Sequence, residues 1–296
     1  MSAVVAGERA PGLLGRSRAW IVGPGGLAAT LACLVVIALM LAPLAATLLS
    51  SLKTSVEASA VPPTYLPSTL SLESYSRVLH YQAGLGTYLL NSFIVALLTI
   101  LICLVLSVPA AYGLARFRLP AREAIFIVLL SAMMIPYQAL LTPLYLMFSE
   151  LGLANTHLGL AIVHAILQLP FSVYVMRNSF EAMPRELEEA AFIDGCSRLE
   201  ILWRILLPLA RPALVTVVLF AFVMSWNEFI GALIFMGREN LFTMPIMLVG
   251  VRQSRFGAID WGTLQAGVVI SMLPCLAIYL LLHRHYVSGF LNGAIK

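Results

Sequence analysis

The sequence predicts an all-α integral membrane protein of six transmembrane helices, with a helix-turn-helix loop on the cytoplasmic side between the fourth and fifth. Three observations lead there. Of its 296 residues, 60% are hydrophobic and only 11% charged, with a mean hydropathy of +0.94, a balance that does not suit a water-facing surface. Apolar runs of about 20 residues, enough to cross roughly 30 Å of hydrocarbon, recur along the chain. The runs are continuous rather than alternating, unlike the in-out pattern of a β-barrel, and a helix satisfies its own backbone in lipid.

Residues 1–26 read as a cytoplasmic N-terminal segment carrying Arg9, Arg16 and Arg18. The basic start is like that of a signal peptide, but the apolar run 27–50 exceeds an h-region and is taken as an uncleaved first span, residues 27–52. Residues 53–87 form a periplasmic segment in which PPTYLPS and GLG break the chain into turns and interfacial helices. A core of five further spans fills residues 88–285, at 88–114, 124–147, 158–176, 212–236 and 264–282, with a loop at 179–211 and another outer segment at about 237–262. Residues 286–296 are a cytoplasmic tail.

Prolines inside the runs (Pro43, Pro109, Pro136, Pro143, Pro170, Pro274) each remove a backbone donor and favour a kink. Packing accounts for most of them; for Pro136 and Pro143 a moving or substrate-lining break is the second reading.

Six spans put both termini on one side. That side holds Arg9, Arg16 and Arg18, then Arg116, Arg118 and Arg122, the arginines from Arg177 to Arg211, Arg284 and Lys296. Opposite lie Lys53, Arg77, Arg238, Arg252 and Arg255, so the positive-inside bias makes the termini and the 179–211 loop cytoplasmic. Cys33, Cys103 and Cys275 fall within spans and Cys196 in the loop, which is no disulfide framework. A net charge of +4 without a basic extramembrane domain implies no nucleic-acid partner.

Most of the polar density sits in PRELEEAAFIDGCSRLEILWRILLPLARP, residues 184–212. Pro184 suits a first helical turn, and Glu186, Glu188 and Glu189 lie near the positive end of that helix. Gly195 supplies a left-handed stop, and Ser197 with Glu200 forms a capping box that opens a second helix, which runs to Leu207 and breaks at Pro208. Leu187, Ala190, Ala191 and Ile193 give the first helix an apolar side; Leu199, Leu202, Trp203, Leu206 and Leu207 do so for the second. Physics alone leaves two readings, a solvated helical linker or a small-residue knob, Ala190-Ala191 to Gly195, that a partner backbone approaches closely.

EAAFIDG, followed after nine residues by ILLP, resembles the EAA loop of binding-protein-dependent ABC importer permeases. Glu189, Ala190, Ala191, Gly195, Ile205, Leu207 and Pro208 fill its fixed positions, with Asp194 beside Gly195. The runs NSFIVALLTILICLVLSVPAAYGLARF and MMIPYQALLTPLYLMFSELGLANTHLGLAIVHA, the SWNEF segment and the final SGFLNGAIK are similar to carbohydrate-type permeases, close to the second permease subunit of maltose and glycerol-phosphate importers. Cys196 stands where that family often carries alanine.

The resemblance implies an inner-membrane permease that pairs with a second permease, docks on a dimer of ATPase subunits and receives solute from a periplasmic or extracellular binding protein. The loop would be the coupling helix: Glu189 contacting the ATPase cleft or capping the helix, Ala190 and Ala191 keeping the approach close, Gly195 setting the turn, Ile205, Leu207 and Pro208 anchoring the loop. ATP and Mg would belong to the ATPase; this chain carries no G-x-x-x-x-G-K-[ST], and its only lysines are Lys53 and Lys296. The solute would be a saccharide, polyol, sugar phosphate or sugar sulfonate, with a non-carbohydrate solute as the alternative.

Polar residues within the spans are the candidates for the solute pathway: Tyr137, Gln138 and Thr142, and Asn227 with Glu228, which the resemblance places along it. A carboxylate in a span needs a partner or a wet cavity, so Glu228 is expected to face inward. Gln168 and Ser225 read as helix-helix hydrogen bonds, and Trp226 is the remaining polar-tipped candidate. His157, His164, His283 and His285 offer no metal-ligand set. The chain shows neither the internal repeat of many secondary transporters nor the G-x-S-x-G or H-E-x-x-H of an intramembrane enzyme.

Overall fold

The computed structural model describes residues 24–252 and 259–294. Arg9, Arg16, Arg18, Arg255 and Lys296 lie outside the described residues, as do the side chains of His283, Arg284 and His285. Every regular element among the described residues is helical, and those of six residues or more are α1 Pro24–Ser51, α2 Glu73–Leu79, α3 Leu85–Arg116, α4 Arg122–Ser131, α5 Tyr137–Glu150, α6 His157–Glu181, α7 Glu186–Ile193, α8 Arg198–Leu209, α9 Arg211–Asn227, α10 Ile230–Phe235, α11 Met244–Arg252 and α12 Trp261–Ala294. Helix α12 continues through the predicted tail at 286–296 as far as Ala294.

Four of these helices are long and apolar enough to cross a membrane, and up to six spans result if each of two bent pairs counts as one. The predicted third span, 124–147, is not one rod. Arg122–Met134 and Tyr137–Glu150 meet at 99°. The cause is Pro136: the residue before it, Ile135, is driven to extended backbone at ψ 124°, and Pro136 itself sits at ψ 117°. Pro143, by contrast, is absorbed within α5. The predicted fifth span, 212–236, is interrupted as well. Helix α9 ends at Asn227, Glu228 is extended, and α10 restarts at Ile230.

The α3–α6 pair is the most extensive helix contact. Its reason is a stripe of small buried residues on α3, Ser92, Ala96, Thr99, Cys103, Ser107 and Ala111, recurring at three or four residues. Lipid is as apolar as a leucine side chain, so within the bilayer close backbone approach and van der Waals packing replace the hydrophobic effect as the driving force. Helix α9 packs on α3, α6 and α12, while α1 contacts α12 and is exposed over most of its length, burying only its last residue, Ser51.

At the end carrying α7 and α8 the balance differs, because water is near. There Ile201, Leu202 and Leu206 bury with Tyr112, Met176 and Phe180 in one cluster. Each fully buried Leu or Ile contributes about 1.5–3 kcal/mol where the alternative is water. The loop is therefore a packed extension of the bundle rather than a free linker.

Candidate functional site

The 184–212 segment folds as a helix, a tight turn and a second helix. Pro184 stands two residues before α7, not in its first turn, and the Arg185 carbonyl accepts from the Glu188 and Glu189 N–H groups. Helix α7 closes with paired bonds: the Gly195 N–H donates to the Phe192 carbonyl (3.1 Å) and the Cys196 N–H to the Ala191 carbonyl (2.9 Å). That closure requires a left-handed residue, and Gly195 has φ +83°. The predicted capping box is present: the Glu200 N–H donates to Ser197 Oγ at 3.3 Å, and the Ser197 N–H to Glu200 Oε2 at 2.9 Å. The Ser197 backbone donor, then its hydroxyl, hold the Glu200 carboxyl below its usual range.

The predicted break at Pro208 falls two residues later. Pro208 has no N–H for the Arg204 carbonyl, and the chain accommodates this by widening one turn, with the Leu207 N–H reaching back to the Leu202 carbonyl. Continuity ends at Ala210, where α8 and α9 meet at 78°.

The predicted apolar side of α7 is turned. Ala191 is buried, but Leu187, Ala190 and Ile193 face outward, Ile193 at 87% exposure. On α8, Leu202, Leu206 and Leu207 bury as expected, whereas Leu199 (64%) and Trp203 (61%) do not. Glu189, Ala190, Asp194 and Gly195 are all exposed, Ile205 and Leu207 pack into the bundle cluster, and Pro208 lies on the surface. The result is a knob with an apolar, charged-edged outer face.

The inner face of α7 is held by a residue that the sequence placed only at the positive end of the helix. Glu188 is buried, with Oε1 2.5 Å from Arg116 Nε at the end of α3 and Oε2 accepting from the Tyr112 hydroxyl at 3.4 Å. Arg116 Nη2 also donates to the Met183 carbonyl at 2.9 Å. The signal available was spacing: Glu188 lies one turn before Ala191, on the one face that packs inward. A second such arginine, Arg177 on α6, bonds Glu123 (2.6 Å) and Glu181 (2.9 Å) and lies 4.0 Å from the Phe126 ring, tying α4 to α6.

Deeper in the bundle, Glu228 is the centre of a polar cluster that draws on five helices. Its Oε1 accepts from the Gly231 N–H (2.7 Å) and its Oε2 from the Ala232 N–H (3.0 Å), capping α10. His164 Nε2 of α6 lies 3.1 Å from Oε2, while His164 Nδ1 meets Ser225 Oγ at 2.9 Å, and Thr99 Oγ1 of α3 donates to Ser225 at 3.4 Å. Tyr137, first residue of α5, places its hydroxyl in the space a Cβ on Gly231 would occupy, beside the Glu228 carboxylate. The chain break at 228–229 thus has a chemical origin: the carboxylate takes the donors that would have continued the helix.

Of the five predicted pathway residues, the structure brings together Tyr137 and Glu228 only. Gln138 and Thr142 are exposed on α5. Asn227 turns to the opposite side, donates to the Val223 carbonyl at 2.7 Å, and lines an open cleft of about 820 Å³ with Leu44, Leu48, Ser271 and Tyr279. Trp226 is buried, stacked on Phe222, its Nε1–H donating to the Ser271 carbonyl at 3.0 Å. Ser225 makes the expected interhelical bonds; the Gln168 side-chain nitrogen does not, being buried without a partner among the described residues. His157 meets Asn91 at 3.0 Å, and no metal-binding group of His, Cys, Asp and Glu occurs among the described residues.

Comparison with known proteins shows the family of the chain. Residues 104–290 match the family described as binding-protein-dependent transport system inner membrane component. The chain is 34% identical over 249 residues to the sulfoquinovosyl glycerol transport system permease protein of Agrobacterium fabrum, covering 84% of this chain and 86% of that one. It is 35% identical over 244 residues to the trehalose/maltose transport system permease protein of Thermococcus litoralis, covering 79% and 86%. Its fold is similar to that in a crystal structure of a bacterial ABC transporter involved in the import of the acidic polysaccharide alginate, with a TM-score of 0.77 at 23% identity over 94% of this chain and 100% of that one.

Proposed function

Because the chain belongs to the binding-protein-dependent transport system inner membrane components, we propose that it is one of two permease subunits of an ABC importer and forms, with the second, the pathway for a sugar or sugar-like solute. A dimer of separate ATPase subunits hydrolyses ATP with Mg, a soluble binding protein delivers the solute, and both termini and the α7–α8 knob face the cytoplasm. The printed functions of the relatives, sulfoquinovosyl glycerol and trehalose/maltose transport, support the solute class.

The observation that carries the coupling role is the outward turn of the knob. A helix pair that exposes Ile193, Leu199 and Trp203 as well as Glu189 and Ala190 is an unfinished interface at the water-facing end of a membrane bundle. Its inner side packs on the bundle, so a push on the tip moves helices rather than a loop. Tyr137 and Glu228 hold the broken spans together at the wall of the pathway.

Gly195→Asp tests this. No atom lies within 4 Å of the position a Cβ would take, so the variant meets no clash and stays in the membrane. The cost falls on the left-handed backbone, about 1–2 kcal/mol, and on a new charge at the docking face. Uptake is expected to be lost, together with stimulation of ATP hydrolysis by solute-loaded binding protein; normal stimulation in the assembled complex would refute the coupling role. Titration calorimetry on the cognate binding protein identifies the solute.

A further inference from the structure

We propose that Glu188, through Arg116, is a positioning residue that carries the movement of the coupling helix into α3, alongside the covalent route through α8 into α9. The inference rests on the coupling role proposed above. The covalent route is poorly built for force. Between α7 and α9 the chain passes a left-handed glycine, a widened turn at Leu202–Leu206 and a 78° bend at Ala210, each a place where a displacement is absorbed.

The side-chain route has no such joints. Glu188 projects from the inner face of α7 to Arg116 in the last turn of α3, 2.5 Å from Nε, and both side chains are almost wholly buried, at 10% and 5% exposure. Arg116 reaches on to the Met183 carbonyl just ahead of α7, so one guanidinium grips the coupling helix and the turn that leads into it together. The Tyr112 ring backs the carboxylate from one turn below and packs edge-on against Phe117 and Phe180, which links the grip to α6. Helix α3 then runs 32 residues to the opposite end of the bundle, passing Thr99 of the polar cluster on the way.

A buried pair is costly to make and more costly to leave half-made, so α7 and α3 move together rather than separate. The Arg116–Glu188 contact is a close charge contact, short even without the alignment of a hydrogen bond, so it leaves no slack between the two helices.

The test uses the complete importer in membrane vesicles and reads ATP hydrolysed per solute imported. A merely structural role lowers the amount of complex without changing that ratio. Glu188→Gln is expected to raise the ratio about fivefold or more, the low end of typical coupling between sites, and Tyr112→Phe, which keeps the ring, to raise it less. The reversed pair Glu188→Arg with Arg116→Glu is expected to bring the ratio back toward that of the unaltered complex. An unchanged ratio in Glu188→Gln and Tyr112→Phe complexes of normal abundance overturns the inference. Ile193→Asp on the outer face separates this from the underlying reading: if that variant retains its ATPase subunits and its ratio, the knob does not couple at all.

Discussion

Gly231 lies where two side chains converge, and the space its own would fill is taken by the Tyr137 hydroxyl against the Glu228 carboxylate. A methyl there overlaps that hydroxyl, so Gly231→Ala is expected to destabilise the chain by about 1–3 kcal/mol, the range of overpacked cores. Removing the obstruction with Tyr137→Phe in the same chain is expected to recover most of the loss. Thermal unfolding of the detergent-solubilised complex reads both; equal loss in the single and double variants would show that the hydroxyl is not the obstacle. The residues themselves were visible in the sequence as polar positions within spans. Their grouping was not, because Tyr137 and Glu228 are 91 positions apart along the chain and meet only through a bend at Pro136 and a break at Glu228.

Among the elements, α8 is specified by local chemistry at its start and by tertiary packing at its end. The capping box satisfies two otherwise orphaned N–H groups, and Ser197→Ala is expected to cost about 1 kcal/mol, seen as faster amide exchange over residues 198–201 with the membrane helices unaffected. The same box has an acid limit. The Glu200 carboxyl is held below its ordinary 4.5 in the fold, so its contribution is complete above 4.5 and is lost as pH falls through the lower folded value. Exchange in the loop is therefore expected to be independent of pH near neutrality, once the intrinsic chemistry of exchange is divided out, and to rise only in acid. A rise centred near neutrality would assign it to another group. The start and the left-handed turn of this element were legible because caps and glycines act within three or four residues. The rotation of α7 was not, since Leu187, Ala190 and Ile193 look as apolar on paper as the face that buries.

For the molecule as a whole, the exposed Gln138 and Thr142 on α5 fit a chain that is half of a pathway. A second permease seated against α5 would cover them. In a chain whose exposed Cys33 is replaced by serine, Thr142→Cys is expected to react readily with a polar thiol reagent when the subunit is purified alone and to be protected in the complete importer. Equal labelling in both states would place the partner elsewhere. The exposure of α1, which touches the bundle through α12, belongs to the same scale: its sequence is apolar on all sides, which suits a helix surrounded by hydrocarbon or by another helix.

The sequence by itself determined that this chain crosses a membrane as helices, where its apolar runs lie, and that a capped helix-turn-helix interrupts them, because hydropathy, capping and left-handed turns are local properties of a few neighbouring residues. Its EAA pattern also pointed to the family that the comparisons establish. Only the tertiary structure decided that two of the runs are broken, that Asn227 and Glu228 face opposite ways, and that Glu188 turns inward to Arg116. Those outcomes depend on which buried donor finds which acceptor across helices, a matter of three-dimensional proximity that spacing along the chain narrows but does not decide.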